Sequence, residues 1–544
     1  MIPQVLLSAA LLCVYTAAAP LSGPTVVLDG ANFVGVNSGT TEKYLGIPFA
    51  LPPVGDLRYR LPQAITYSNG TYDASAFGPS CGQQSIELPI IKGLVGDAAN
   101  YVVNSIFGQI FPDDEDCLTI NVVKPKGATP TSKLPVVVWI FGGGFLLGGT
   151  SMYDGSLIVS RSQALSQPVV YVSMNYRLTG FGFLPGKEVK EAGVGNLGLQ
   201  DQRAALRWVQ KYIAQFGGDP TKVTMWGESA GAISASLQML VNGGNTEGLF
   251  RAAFMQSGAP IPVGDMSNGQ KYYDALVAET QCTGSSDTLA CLRSVPYAAL
   301  KAAINKSPGI FSYQSLNIAW TPRADGIFLT DFPQNLIQQG KVANIPYITV
   351  GNCDDEGTLF SLGNSNITTD SQFKSYLKNT FLPGITDAQV DRVTELYPSN
   401  ILQGSPFGTG LFNALTPQFK RLAAFQGDGV FQAPRRWLLQ YTAGKQDVWV
   451  YLNKRLKLLP ILGSVHASDI LNVYGGGEMG DHLIRFANKL NPNPSNGYQW
   501  PKYSLSTRKI ATYLDGPLPL ATADDTYRAD AMSFLSQLTL QHPI

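Results

Sequence analysis

Gly227-Glu228-Ser229-Ala230-Gly231 closes an apolar run, Val223-Thr224-Met225-Trp226, and opens a helix-like stretch from Ala232 to Val241 that Gly243 and Gly244 end. The order is strand, sharp turn, helix. A serine in such a turn has a strained, close-packed backbone, so side chains two residues to either side would collide and glycines replace them; the strain leaves Oγ exposed at the sheet edge. Ser229 is therefore the candidate nucleophile. In a chain with 56 glycines the five-residue pattern can arise by chance. The strand before it and the helix after it favour the chemical reading over an ordinary tight turn.

The sequence around this turn repeats the same alternation. Pro135 to Phe141 is a continuous apolar strand, Val169 to Met174 another, Gln202 to Gln215 a helix with Ala205, Leu206, Trp208, Val209, Tyr212 and Ile213 at helical spacing, and Tyr347-Ile348-Thr349-Val350 and Val448-Trp449-Val450-Tyr451 further strands. Apolar strands alternating with helices predict a doubly wound α/β sheet. With 544 residues but no linker, charge block or repeat, the chain reads as one domain from residue 19 to 544. Residues 24 to 80 read as short strands and turns.

Lys+Arg and Asp+Glu both number 39, which leaves no net field for nucleic acid or an anionic membrane. The apolar run Val5 to Val14, then Thr16-Ala17-Ala18, predicts a signal peptide over residues 1–18, although its basic n-region is missing. No later stretch is long enough for a transmembrane helix, so a secreted, extracellular protein is expected. An oxidising compartment implies disulfides among Cys81, Cys117, Cys282, Cys291 and Cys353. The sequence-near pairing is Cys81 with Cys117 and Cys282 with Cys291, leaving Cys353 odd, while other pairings stay open. Asn69, Asn305 and Asn366 begin glycosylation sequons.

Between Cys81 and Cys117, apolar pairs that include Val102/Val103 and Ile106/Phe107 recur every four residues, an amphipathic helix pattern. The stripe drifts by about 40° per step, so two helices are an option. A disulfide-bounded excursion this much longer than a usual loop predicts a flap rather than a helix packed on the core.

Three glycines, Gly142-Gly143-Gly144, follow the strand ending at Phe141. They let backbone N–H groups crowd toward one point, as an oxyanion hole requires, and no Gly-Lys-Ser/Thr follows to support a phosphate cradle. Only three histidines exist, His466, His482 and His542. A serine nucleophile needs an imidazole, and His466, after a strand and beyond the other elements, fits the order serine, acid, histidine. His482 and His542 read as surface histidines. Asp354, Asp355, Glu356 and Asp469 are all candidates for the acid, and spacing does not choose among them, although Asp469 reads as a helix cap.

With Glu115-Asp116-Cys117-Leu118, Gly142-Gly143-Gly144-Phe145, Gly227-Glu228-Ser229-Ala230-Gly231, Asp355-Glu356-Gly357-Thr358 and His466 in one order, the chain resembles the type-B carboxylesterase/lipase family. Pro417-Gln418-Phe419-Lys420-Arg421, Gly404-Ser405-Pro406-Phe407 and Trp500-Pro501-Lys502-Tyr503 resemble its fungal branch of Candida rugosa-type lipases and sterol esterases. The resemblance implies an α/β-hydrolase fold with a large, mostly parallel central sheet flanked by helices. It implies Glu356 as the acid of a Ser229, His466, Glu356 triad, and Gly143, Gly144 and Ala230 as oxyanion donors. It implies the disulfides Cys81–Cys117 and Cys282–Cys291, with a lid over residues 81–117 carrying Val102, Val103, Ile106 and Phe107. An acyl tunnel would be lined by Leu359, Phe360, Leu411 and Phe412, which are equally readable as core.

The expected reaction is ester hydrolysis through an acyl-enzyme, with neither metal nor organic cofactor. The apolar lid face suggests a lipid–water interface, hence triacylglycerols and sterol esters, and open lids would permit a homodimer. The alternatives are a carboxylesterase for small soluble esters, or a non-catalytic adhesion relative, which would lack the serine or histidine.

Overall fold

The computed structural model describes residues 22–85 and 112–544. The proposed signal peptide and the lid positions Val102, Val103, Ile106 and Phe107 lie outside the described residues.

The main sheet has eleven strands. In chain order they are β1 Val36–Ser38, β2 Thr41–Pro48, β3 Thr119–Pro125, β4 Leu134–Ile140, β5 Val170–Met174, β6 Gly218–Glu228, β7 Ala252–Gln256, β8 Tyr347–Cys353, β9 Val448–Asn453, β10 Lys509–Tyr513 and β11 Leu520–Asp524. Their order across the sheet is β11-β10-β9-β8-β7-β6-β4-β5-β3-β2-β1. Pairing is parallel from β5 through β10 and antiparallel at both ends. This explains the composition of the strands. β4, β5, β7 and β9 are apolar almost throughout because helices cover both faces of a parallel sheet, so no residue can alternate outward to water.

Helix α1, Leu197–Tyr212, starts earlier than its apolar spacing predicts. Helix α2, Ala230–Gln238, leaves β6 directly and is buried along its whole length. Helix α3, Glu478–Lys489, packs on β4 and β6. His482 sits on the buried face of α3, 2% exposed, with Nδ1 2.7 Å from the Tyr513 hydroxyl. It is therefore not a surface histidine. Its neighbours on the same face, Met479, Leu483 and Phe486, carry it into the core. Burial pushes its pKa down to about 4, so it is neutral at ordinary pH. His542 is half-buried after the last helix.

Smaller sheets flank the main one. Thr25–Leu28, Ala31–Val34 and Thr71–Asp73 form a three-stranded sheet. Ser80–Cys81 pairs with Asp113–Asp114 beside the Cys81–Cys117 disulfide. Cys282 is bonded to Cys291, and Cys353 is a buried free thiol.

Register places the functional turn. In β6, Val223 to Gly227 stand opposite Val136 to Ile140 of β4, and Thr224 to Glu228 opposite Ala252 to Gln256 of β7. The chain runs from β4 to β5 on one side and then crosses to β6 on the other, so the strand order reverses at β4. A crevice forms at the carboxyl ends of strands at such a switch point. Beneath it, Trp139 and Trp226 are fully buried, with ring centroids 4.2 Å apart.

Gly231 tests this packing. A Cβ there would lie 1.9 Å from the Ile140 carbonyl oxygen, which is backbone and cannot rotate away. Gly231→Ala is expected to cost about 3 kcal/mol in denaturant unfolding. Gly284→Ala, where a Cβ meets open space, should stay within about 0.5 kcal/mol of native. Equal stability of the two variants would contradict the close approach of α2 to β4.

Candidate active site

Ser229 follows β6 with φ 53° and ψ −124°, outside the conformations an L-residue prefers. The surroundings leave it no alternative. A Cβ at Gly227 would lie 2.4 Å from the Gly231 carbonyl carbon and oxygen, one at Gly258 2.6 Å from the Ser229 oxygen, and one at Gly142 2.8 Å from the Ser229 Cβ. The Ser229 N–H donates to the Gln256 carbonyl at 2.8 Å, which fastens the turn to the end of β7.

The glycine loop after β4 reaches the same point. Gly143 and Gly144 have φ of +105° and +63°, and a Cβ on Gly143 would lie 2.1 Å from the Leu147 oxygen. Gly144 and Ala230 both line a pocket that opens on Ser229. As the first residue of α2, Ala230 has an N–H with no acceptor inside its own helix. Beyond this polar end the wall is apolar, including Ile261, Val263, Leu316, Ile318, Val430 and Phe431.

The structure brings Glu356 and His466 together. Glu356 Oε2 contacts His466 Nδ1. Its other oxygen accepts from the Ser257 hydroxyl and the Cys353 N–H, both at 2.6 Å. A carboxylate with both oxygens occupied in this way fixes the imidazole tautomer, with the proton on Nδ1 and Nε2 left to act as a base. Asp354 and Asp355 turn instead to Lys457. Phe360 and Phe431 flank the His466 ring, with centroids 5.0 and 4.9 Å away.

His466 Nε2 lies 3.3 Å from Glu228 Oε1. Among the described residues no hydrogen bond joins it to Ser229 Oγ, a contact that in substrate-free sites often tightens only when substrate binds. Burial raises Glu228 to about 8, against the opposing pull of His466. Burial also disfavours the imidazolium, yet Glu356 and then Glu228 outweigh it and push His466 up to about 9. The two values belong to one coupled pair. When Glu228 holds a proton, its share of the push on His466 vanishes.

Glu228 was legible as part of the turn motif but not as a neighbour of the base, because the contact depends on how β6 meets the loop before His466. Ser257 carried no local signal at all. Asp469 is no side-chain cap: it stands at the start of a short helix, Ile470–Tyr474, without capping it, and its Oδ2 accepts from the Tyr451 hydroxyl at 2.7 Å. Burial of the loop against β9 turns it inward.

Of the four tunnel positions, Phe360 lines the cavity and Leu359 is half-buried against the core. Leu411 and Phe412 do not line it; they are 66% and 79% exposed. They sit on a turn closed by the Phe412 N–H to the Thr409 oxygen and held by Lys420 on the Gly410 oxygen, so their side chains face outward. Asn69 and Asn366 are exposed and Asn305 is half-buried.

A mostly parallel eleven-stranded sheet with a serine on the turn after β6, and with acid and imidazole on loops after β8 and β9, defines an α/β-hydrolase. The model of the carboxylesterase family matches residues 22–535, and the chain belongs to that family, as a carboxylic ester hydrolase. It is 43% identical to Lipase 2 of Diutina rugosa over 95% of this chain and 97% of the relative. It is 41% identical to the secreted triacylglycerol lipase LIP1 of Gibberella zeae over 94% of this chain and 90% of the relative. The solved structure of EstA from Aspergillus niger superposes with a TM-score of 0.80 at 27% identity, over 96% of this chain and 99% of that one.

The Glu228 contact predicts a pH effect. With His466 as the proposed base, hydrolysis requires it unprotonated, so rate should rise with pH through an acid limb whose midpoint lies above the free-imidazole value of about 6.5. Glu228→Gln removes a carboxylate that favours the imidazolium and should move the midpoint down by about one unit in a kcat/KM profile on a soluble ester. A limb unmoved by Glu228→Gln would contradict the coupling.

Proposed function

We propose that this protein hydrolyses long-chain acyl esters, triacylglycerols and sterol esters, through an acyl-enzyme on Ser229. The observation that carries this reading is the apolar pocket that begins at Ser229, with Gly144 and Ala230 at its polar end. An acyl chain placed in it would exchange water for aliphatic and aromatic side chains, which contributes about 0.8 kcal/mol per buried methylene. Its ester carbonyl would then remain at the glycine loop.

In the proposed sequence His466 Nε2 takes the proton of Ser229 Oγ as the oxygen attacks the ester carbonyl carbon. The N–H groups of Gly143, Gly144 and Ala230 receive the negative charge that forms on the carbonyl oxygen. When the tetrahedral species collapses, the proton on Nε2 passes to the departing alkoxide and the alcohol leaves. Water then enters, gives a proton to Nε2, and attacks the acyl carbon; collapse returns that proton to Ser229 and frees the acid. Glu356 holds the imidazole through Nδ1 in both halves and stabilises its charged form.

Secretion is part of the same proposal. It is supported by the relative named a secreted triacylglycerol lipase, by two disulfides, and by exposed sequons at Asn69 and Asn366. No helix among the described residues is long and apolar enough to cross a membrane.

The test is fatty-acid release from emulsified triolein, emulsified cholesteryl oleate and soluble p-nitrophenyl butyrate, with Ser229→Ala as control. High rates on both emulsions, reduced at least about 10⁴-fold in the variant, are expected. Cleavage of the butyrate alone would replace the lipase reading with that of an esterase for small soluble esters. Native rates in Ser229→Ala would remove the nucleophile assignment.

A further inference from the structure

We infer that Asp355 is a positioning residue for the reaction: its buried carboxylate ties the loop that carries Glu356 to the loop that carries His466. The inference rests on the triad proposed above and concerns what holds its acid and base in register.

Asp355 touches neither reacting group, yet it is completely buried, and the hydrogen bonds of its carboxylate all go to other segments of the chain. Its N–H donates to the Ser464 carbonyl at 3.1 Å, and the Ser464 N–H donates back to Oδ2 at 2.8 Å. This reciprocal pair sits in an isolated parallel bridge between Asp355 and Val465. Glu356 follows Asp355 by one residue and His466 follows Ser464 by two, so the bridge links acid and base over a short path that does not pass through their own contact. Thr358 adds a second link, donating from Oγ1 to the Leu462 carbonyl at 2.8 Å.

The rest of the carboxylate is used as fully. Oδ1 accepts from the Ser405 hydroxyl at 3.0 Å and the Phe407 N–H at 2.8 Å, which brings in a third segment. Lys457, on the connection from β9 to His466, places its ammonium 2.9 Å from Oδ1 and 2.7 Å from Oδ2, and 2.7 Å from Asp354. Gly463 leaves room for this arrangement: a Cβ there would lie 2.3 Å from Asp355 Oδ2. A charge-assisted, multiply bonded carboxylate has little freedom to drift. Its neighbour Glu356 and the segment ending at His466 inherit that fixity, and displacement of a catalytic group by about 1 Å can cost about 10²-fold in rate.

A merely structural carboxylate would lower stability and leave turnover per folded molecule intact, so the test separates the two. kcat and KM on soluble p-nitrophenyl butyrate, per folded molecule, would be measured for Asp355→Ala, Asp355→Asn, Lys457→Met and Gly463→Ala, with Ser229→Ala as reference. Asp355→Ala should lose about 30-fold or more in kcat with KM within about threefold. Asp355→Asn, which keeps one acceptor for the Ser464 N–H, should recover to within about tenfold of native, and Lys457→Met, which keeps the loop-to-loop bonds, to within about fivefold. Gly463→Ala, which displaces the carboxylate without removing it, should lose at least about fivefold in kcat. Folded Asp355→Ala with native kcat, or with its whole loss in KM, would overturn the inference. If Asp355→Ala does not fold, native kcat in both Asp355→Asn and Gly463→Ala would overturn it. An active Ser229→Ala would bring down the triad, and this inference with it; an inactive Ser229→Ala beside a native Asp355→Ala brings down this inference alone.

Discussion

Ser229 keeps its positive-φ backbone because no other chain path fits between β4, β7 and the start of α2. Strain of this kind costs about 1–3 kcal/mol and persists only where packing over-determines it. Here the packing is backbone against backbone: Gly231 against the Ile140 carbonyl, Gly258 against the Ser229 carbonyl, Gly142 against the Glu228 carbonyl. One constraint thus fixes several things. It aims Oγ into the crevice, leaves the Ala230 N–H at the head of α2 without an acceptor, and lets the glycine loop after β4 come close enough to share the cavity. The parallel sheet, with Trp139 and Trp226 buried beneath the turn, is the rigid base against which the strain is held.

Electrostatics divides the carboxylates around His466 into different kinds. Glu356 is met by Ser257, Cys353 and the imidazole, so its two oxygens are occupied. Glu228 is equally buried, yet its Oε1, which faces His466 Nε2 at 3.3 Å, accepts no hydrogen bond among the described residues, and burial lifts its pKa into the range where it competes with His466 for a proton. The rings of Phe360 and Phe431 flank the imidazole and add to its burial.

What could be read from the sequence was whatever is encoded locally. The turn at Ser229, the glycine run after β4 and the fully apolar strands each carry their signal within a few residues, and three histidines left few choices of base. The acid was not local. Asp354, Asp355 and Glu356 are consecutive, so spacing could not separate a residue that meets His466 from one that meets Lys457; a family resemblance supplied Glu356, and packing of the two loops gives the reason. The same limit explains the errors. Leu411 and Phe412 are apolar, which says nothing about the direction in which an irregular loop presents them. His482 lies next to a charged residue in sequence but on the buried face of its helix, and Asp469 turns to Tyr451 rather than to the helix it precedes. Each depends on partners distant in the chain.

In the proposed mechanism one serine, Ser229, is activated by His466 at the mouth of the apolar pocket. The most direct measurement is covalent labelling with a long-chain organophosphonate, followed by mass spectrometry of the intact protein and its peptides. One adduct per chain is expected, carried by the peptide containing Ser229, with labelling slowed at least about 10³-fold in folded His466→Ala. An adduct on another residue, or labelling at the native rate without His466, would contradict it.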